Sequence, residues 1–167
     1  MNNEVASSSV NKAGGNASSQ RKYRVLIADD CETDRFFLQH IITAHAPLFE
    51  VVGEVQDGDE AIAYLWGFGE YGDRQKHPLP DLLIMDVRMP RVTGIAVLEW
   101  LATQKFPALK VAMLADSSAV MFKEQALDLG LKHFYPKSAN LDDLIALVKR
   151  LQDEMTLGQT GDLYECN

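Results

Sequence analysis

From residue 23 onward, short unbroken apolar runs alternate with longer stretches in which apolar residues recur every three or four positions. Such runs suit strands buried on both faces, and the alternation predicts β–α units around a parallel sheet. Strands are expected over 24–28, 50–55, 82–85, 110–114 and 133–135. Helices are expected over 33–46, from about Asp57 to Trp66, from Gly94 through Leu101, over 118–129 and over 141–154. In the first helix Phe37, Ile41 and Ala44 form the predicted core stripe and Pro47 ends it. In the last, Leu141, Leu144, Ile145, Val148 and Leu151 share one face. Asp57, Asp59 and Glu60 suit a helix start, and Gly130 suits a helix C-terminus. The stretch 67–80, with three Gly and two Pro, is read as a long loop.

Five such units make a doubly wound α/β domain over residues 23–156. Residues 1–22 are dominated by Ser, Asn, Ala and Gly and have too little apolar surface to repay ordering, so they are expected to form a disordered leader. A flexible tail is expected over 157–167. The 167 residues, 47% of them hydrophobic, suffice for one core and leave little for a second. A net charge of -8 argues against a nucleic-acid partner and favours a protein or a cation. Cys31 and Cys166 lack metal-ligand spacing, and neither a membrane-length apolar run nor a signal peptide is visible, so a cytoplasmic protein without membrane association is expected.

In an open α/β sheet, chemistry gathers beyond the C-terminal ends of the strands. The residues expected there are Asp29 and Asp30 after the first strand, Asp86 after the third, Ala115 and Asp116 after the fourth, and Lys137 after the fifth. Clustered carboxylates repel unless a cation offsets them, and oxygen-only ligands select a hard ion such as Mg²⁺. With Lys137 as a fixed cation, the set has the parts needed to form an acyl phosphate on Asp86. Taken singly, each Asp also fits a turn or helix N-cap. The adjacent pair, the Asp after a wholly apolar strand and the Lys are jointly harder to explain that way.

The segments VLIADD (25–30) and LLIMDVRMP (82–90), Gly94, and Lys137 ahead of a last amphipathic helix resemble the response-regulator receiver family over about residues 23–155. That resemblance implies a flavodoxin-like sheet with strand order 2-1-3-4-5. It implies Asp86 as phosphoacceptor and Mg²⁺ held by Asp30, Asp86 and the Arg88 backbone carbonyl, with Asp29 acting through water. Lys137 would contact the phosphoryl oxygen, and Phe134 would be the aromatic switch residue. The implied partners are a histidine kinase or phosphotransfer protein, and a downstream protein or second copy meeting the face of the fourth helix, fifth strand and fifth helix. The loop with WGFGEYG (66–72) is similar to stand-alone regulators of bacterial phytochrome-type kinases.

The chain departs from the family pattern at three places. Ala115 stands where a Ser or Thr hydroxyl is usual, leaving a phosphoryl oxygen for water, Ser117 or Ser118. Asp116 adds a negative charge as a modulator beside the site. Ser138 replaces the usual Pro after the Lys. Two functions follow as alternatives: a stand-alone regulator phosphorylated on Asp86, or a degenerate receiver that binds partners independently of phosphate. An ester-hydrolysing enzyme is disfavoured because Arg88 occupies the second position of the Asp-x-Asp motif such enzymes carry.

Overall fold

The structure, a computed structural model, describes residues 21–157. The expected leader and tail otherwise lie outside the described residues. Among the described residues five strands and five α-helices alternate: β1 Tyr23–Ala28, α1 Glu32–His45, β2 Phe49–Val55, α2 Gly58–Trp66, β3 Leu82–Asp86, α3 Gly94–Thr103, β4 Lys110–Ala115, α4 Lys123–Asp128, β5 His133–Pro136 and α5 Leu141–Leu157. All strand pairings are parallel, in the order β2-β1-β3-β4-β5.

The central strands are apolar over 25–28, 82–85 and 111–115 because both sheet faces are covered there. Leu26, Ala28, Leu83, Met85, Met113 and Ala115 point to one side, where they join residues of α2, α3 and α4. Their neighbours Val25, Ile27, Leu82, Ile84, Ala112 and Leu114 point to the other and pack with α1 and α5. This is the two-residue alternation of strand side chains, with each buried aliphatic contributing roughly 1.5–3 kcal/mol.

Two helices differ from their expected form. The buried stripe of α1 is Arg35, Leu38, Ile41 and Ile42, whereas Phe37 is exposed and so is Ala44. Both stripes contain Ile41 and satisfy helical spacing, and the packing of Leu38 and Ile42 into the α5-side core decides between them. The expected fourth helix is shorter: a 3-10 turn at Val120–Phe122 precedes only six α-helical residues. Asp116 diverts its start by tying the chain into a turn, with its Oδ1 accepting from the backbone N–H groups of Ser118 at 2.8 Å and Ala119 at 2.9 Å.

The remaining boundaries follow local chemistry. Asp57 caps α2 by accepting from the Glu60 N–H at 2.9 Å, while the Glu60 carboxylate accepts from the Gln56 N–H at 2.9 Å. The 67–80 segment is loop with one 3-10 turn at Gly69–Gly72. Arg74 in that loop donates to the Tyr64 and Leu65 carbonyls at 2.8 Å each, satisfying the C-terminus of α2.

Candidate functional site

β1 and β3 lie side by side, with Ala28 opposite Met85, so the chain leaves both strands at one sheet edge and delivers Asp29, Asp30 and Asp86 together. Each offers a carboxylate oxygen, and these oxygens lie within 4.8 Å of one another. Asp86 is 8% exposed and Asp29 4%, whereas Asp30 is exposed. Asp86 Oδ1 accepts from the Arg88 backbone N–H at 3.3 Å, and Asp29 Oδ1 accepts from the Cys31 N–H at 2.9 Å.

Lys137 reaches the trio from the end of β5. Its backbone N–H donates to the Ala115 carbonyl at 2.7 Å, continuing the β4–β5 pairing beyond the last strand residue. Its Nζ donates to Asp29 Oδ2 at 2.7 Å, Asp34 Oδ2 at 3.0 Å and Asp86 Oδ2 at 3.0 Å. Burial alone would push Lys137 down, but the hydrogen bond and charge of Asp29, with Asp34 and Asp86, outweigh it and hold the ammonium above its ordinary value. Burial pushes the Asp29 carboxyl above its ordinary value, and Lys137 does not fully offset this. With Asp29, Asp30, Asp86 and Asp34 around the single Lys137 ammonium, carboxylates outnumber the cation that faces them. Oxygen-only donors, one of them exposed, fit a hard divalent cation.

Gly94 closes the site from behind. A Cβ there would lie 2.2 Å from the Asp86 carbonyl oxygen and 2.9 Å from Met113 Cε, so only glycine allows α3 to start this close to β3.

Residues 25–149 match the family model described as the response regulator receiver domain. The chain belongs to this receiver family. Receivers of two-component systems typically bind Mg²⁺ in an acidic pocket, are phosphorylated, and interact with histidine kinases or phosphotransfer proteins. A protein-glutamate methylesterase/protein-glutamine glutaminase of Saccharophagus degradans is 34% identical over 138 residues, which are 81% of this chain and 34% of that protein. The transcriptional regulatory protein PdtaR of Mycobacterium tuberculosis is 33% identical over 75% of this chain and 55% of its own length. The chain thus spans between about a third and about half of these two relatives. Among solved structures, the phosphorylated cyanobacterial phytochrome response regulator RcpA aligns with a TM-score of 0.71 at 27% identity, covering 86% of this chain and 99% of that one. The response regulator RPA3017 of R. palustris has a TM-score of 0.72 at 24% identity and shares the fold, covering 86% of this chain and 99% of its own.

Other receiver positions fall differently. Ala115 is fully buried at the end of β4 and has no hydroxyl to offer. Asp116 is not part of the carboxylate trio. Its Oδ1 accepts from the Ser118 hydroxyl at 2.6 Å, and its Oδ2 pairs with Arg88. The Ser118 hydroxyl foremost, with Arg88 and two backbone N–H groups, lowers the Asp116 carboxyl to about 2. Ser117 is exposed. Phe134 is half-buried and packs against the core cluster that holds Met113 and Ala115.

Two residues that serve the site, Asp34 and Arg35, and one in the adjoining loop, Arg91, were not singled out from the sequence. Asp34 binds Lys137, but an acidic residue in a first helical turn is so common that it draws no notice. Arg35 is buried beneath α1, with one guanidinium nitrogen donating to the Asp29 carbonyl at 2.6 Å and another 3.5 Å from Glu54. Arg91 sits at a φ of 61° in the β3–α3 loop and pairs with Asp57 and Asp59. No described helix is long and apolar enough to cross a membrane.

Proposed function

We propose that this receiver accepts a phosphoryl group on Asp86 from a histidine kinase or phosphotransfer protein and signals by protein–protein contact. The observation that carries this reading is the convergence of Lys137 Nζ on Asp86 and Asp29 at 3.0 and 2.7 Å, where three clustered carboxylates face one ammonium. Asp30, Asp86 and the Arg88 backbone carbonyl would hold Mg²⁺ directly, with Asp29 acting through water. When bound, Mg²⁺ offsets charge on the phosphoryl oxygens. The Asp86 carboxylate supplies the attacking oxygen, and Lys137 supplies a fixed N–H donor for the phosphoryl oxygen. The likeness to the phosphorylated regulator RcpA, spanning 99% of that chain, supports this chemistry and action as a stand-alone regulator.

The step after phosphorylation differs from the usual one. Ala115 gives the phosphoryl group no hydroxyl, and the Ser118 hydroxyl is already donated to Asp116. Ser117 or water then takes that role, Asp116 modulates the site by shaping the turn after β4, and Phe134 responds from within the core. A second reading, a receiver that binds partners regardless of phosphate, is favoured by the same absence at Ala115.

Incubation with Mg²⁺ and acetyl phosphate, followed by intact-mass measurement, should add one phosphoryl group to the wild type and none to Asp86→Asn. An unmodified wild type sinks the first reading. Equal affinity of unmodified and phosphorylated protein for a bound partner would favour the second.

A further inference from the structure

The Lys137 ammonium has three protons, and Asp29, Asp34 and Asp86 accept all three. A phosphoryl group on Asp86 adds oxygens that need one of these donors. The three present acceptors differ in what releasing Lys137 would cost them. Asp29 has a side chain only 6% exposed, so losing its partner would strand a desolvated carboxylate. The Asp34 side chain, 46% exposed in the first turn of α1, can exchange Lys137 for water at small cost. Asp34 also stays close to the reacting centre. Its Oδ2 and that of Asp86 are each 3.0 Å from the same nitrogen, so they are at most about 6 Å apart, where an anion repels an incoming phosphoryl group.

We propose that Asp34 is a positioning residue that restrains phosphorylation of Asp86, occupying Lys137 and opposing anionic phosphodonors until the phosphoryl group displaces it. This rests on Asp86 being the phosphoacceptor. In the step concerned, an Asp86 carboxylate oxygen bonds to phosphorus while the donor's own bond to phosphorus breaks, phosphorus–nitrogen in a phosphohistidine, whose imidazole leaves, and phosphorus–oxygen in acetyl phosphate. For acetyl phosphate, acetate leaves with that electron pair. Asp34 takes no part in the bond changes and acts through Lys137 and through its charge.

The test compares wild type, Asp34→Asn and Asp34→Glu with Mg²⁺ and acetyl phosphate, following the phosphorylated fraction by intact mass in low and high salt. After allowance for the exposure of Asp34, Asp34→Asn should raise the second-order rate constant on the order of tenfold. Asp34→Glu, which keeps the charge, should stay near wild type. The ratio of Asn variant to wild type should shrink toward one in about 1 M salt, where screening is strong. A purely structural role would slow both variants and show no such salt dependence. If wild type is phosphorylated while Asp34→Asn is no faster, the inference about Asp34 is overturned and the function stands. If wild type itself takes no phosphate, both fall.

Discussion

Replacing Asp30 by Asn should make the protein more stable without metal and less responsive to metal. Asp30 is exposed, and no hydrogen bond of its side chain to another described residue holds it, yet its carboxylate lies within 4.8 Å of oxygens on Asp29 and Asp86. Two unit charges at about 5 Å repel by roughly 3 kcal/mol at an effective dielectric of ~20. Solvent screening of the exposed partner and the nearby Lys137 reduce the net relief to about 1 kcal/mol. Asparagine preserves the shape and removes the charge, so in EDTA the variant should unfold about 1 kcal/mol above wild type. Magnesium should reverse that order. At a hundred times its dissociation constant, a ligand of the folded state alone adds about 2.7 kcal/mol, and a site with two carboxylates instead of three gains less at equal Mg²⁺. Urea unfolding at pH 7.5 can be followed through Trp66 and Trp100, whose rings pack 5.9 Å apart. A variant less stable than wild type in EDTA, or one that gains as much from Mg²⁺, would refute the reasoning.

Other substitutions test the scaffold. Gly94→Ala places a methyl group 2.2 Å from the Asp86 carbonyl oxygen, a backbone contact that cannot swing aside. It should cost about 3 kcal/mol and lower the melting temperature by roughly 10 °C, and an unchanged melt by circular dichroism would contradict this. Burial, only partly offset by Glu154, holds His133 below its ordinary 6.5. The unfolded chain therefore takes up this proton first, and the stability from neutral His133 is complete above pH 6.5 and lost as pH falls below it. His133→Gln should flatten the dependence of urea midpoints on pH below about 6.5, and an identical slope would rule this out.

Much of the fold was legible because β1, β3 and β4 are buried on both faces and so read as unbroken apolar runs. Their ends then bring Asp29, Asp30 and Asp86 to one edge, and Lys137 follows the next strand. What was not legible depends on packing between elements. Phe37 and Leu38 are equally good helical core residues until α5 is in place, and the sheet then selects Leu38. The short α4 was hidden because Asp116, read from the sequence as a charge beside the site, instead uses its carboxylate to bind a turn and Arg88 ahead of the helix. Asp34, Arg35 and Arg91 carry no local signal of their roles, since each acts on a partner distant in sequence or through a backbone carbonyl. Gly94 was visible as a motif residue, but the need for it is seen only in where an added Cβ would fall against the Asp86 carbonyl.

The central claim is that the carboxylate of Asp86 takes the phosphoryl group. Protein treated with Mg²⁺ and acetyl phosphate, then reduced with borohydride, should convert the acyl phosphate to homoserine at a single position. Tandem mass spectrometry of the peptide containing residues 82–91 should find homoserine at position 86. Homoserine at position 29, 30 or 34 instead, or none anywhere, would contradict the account.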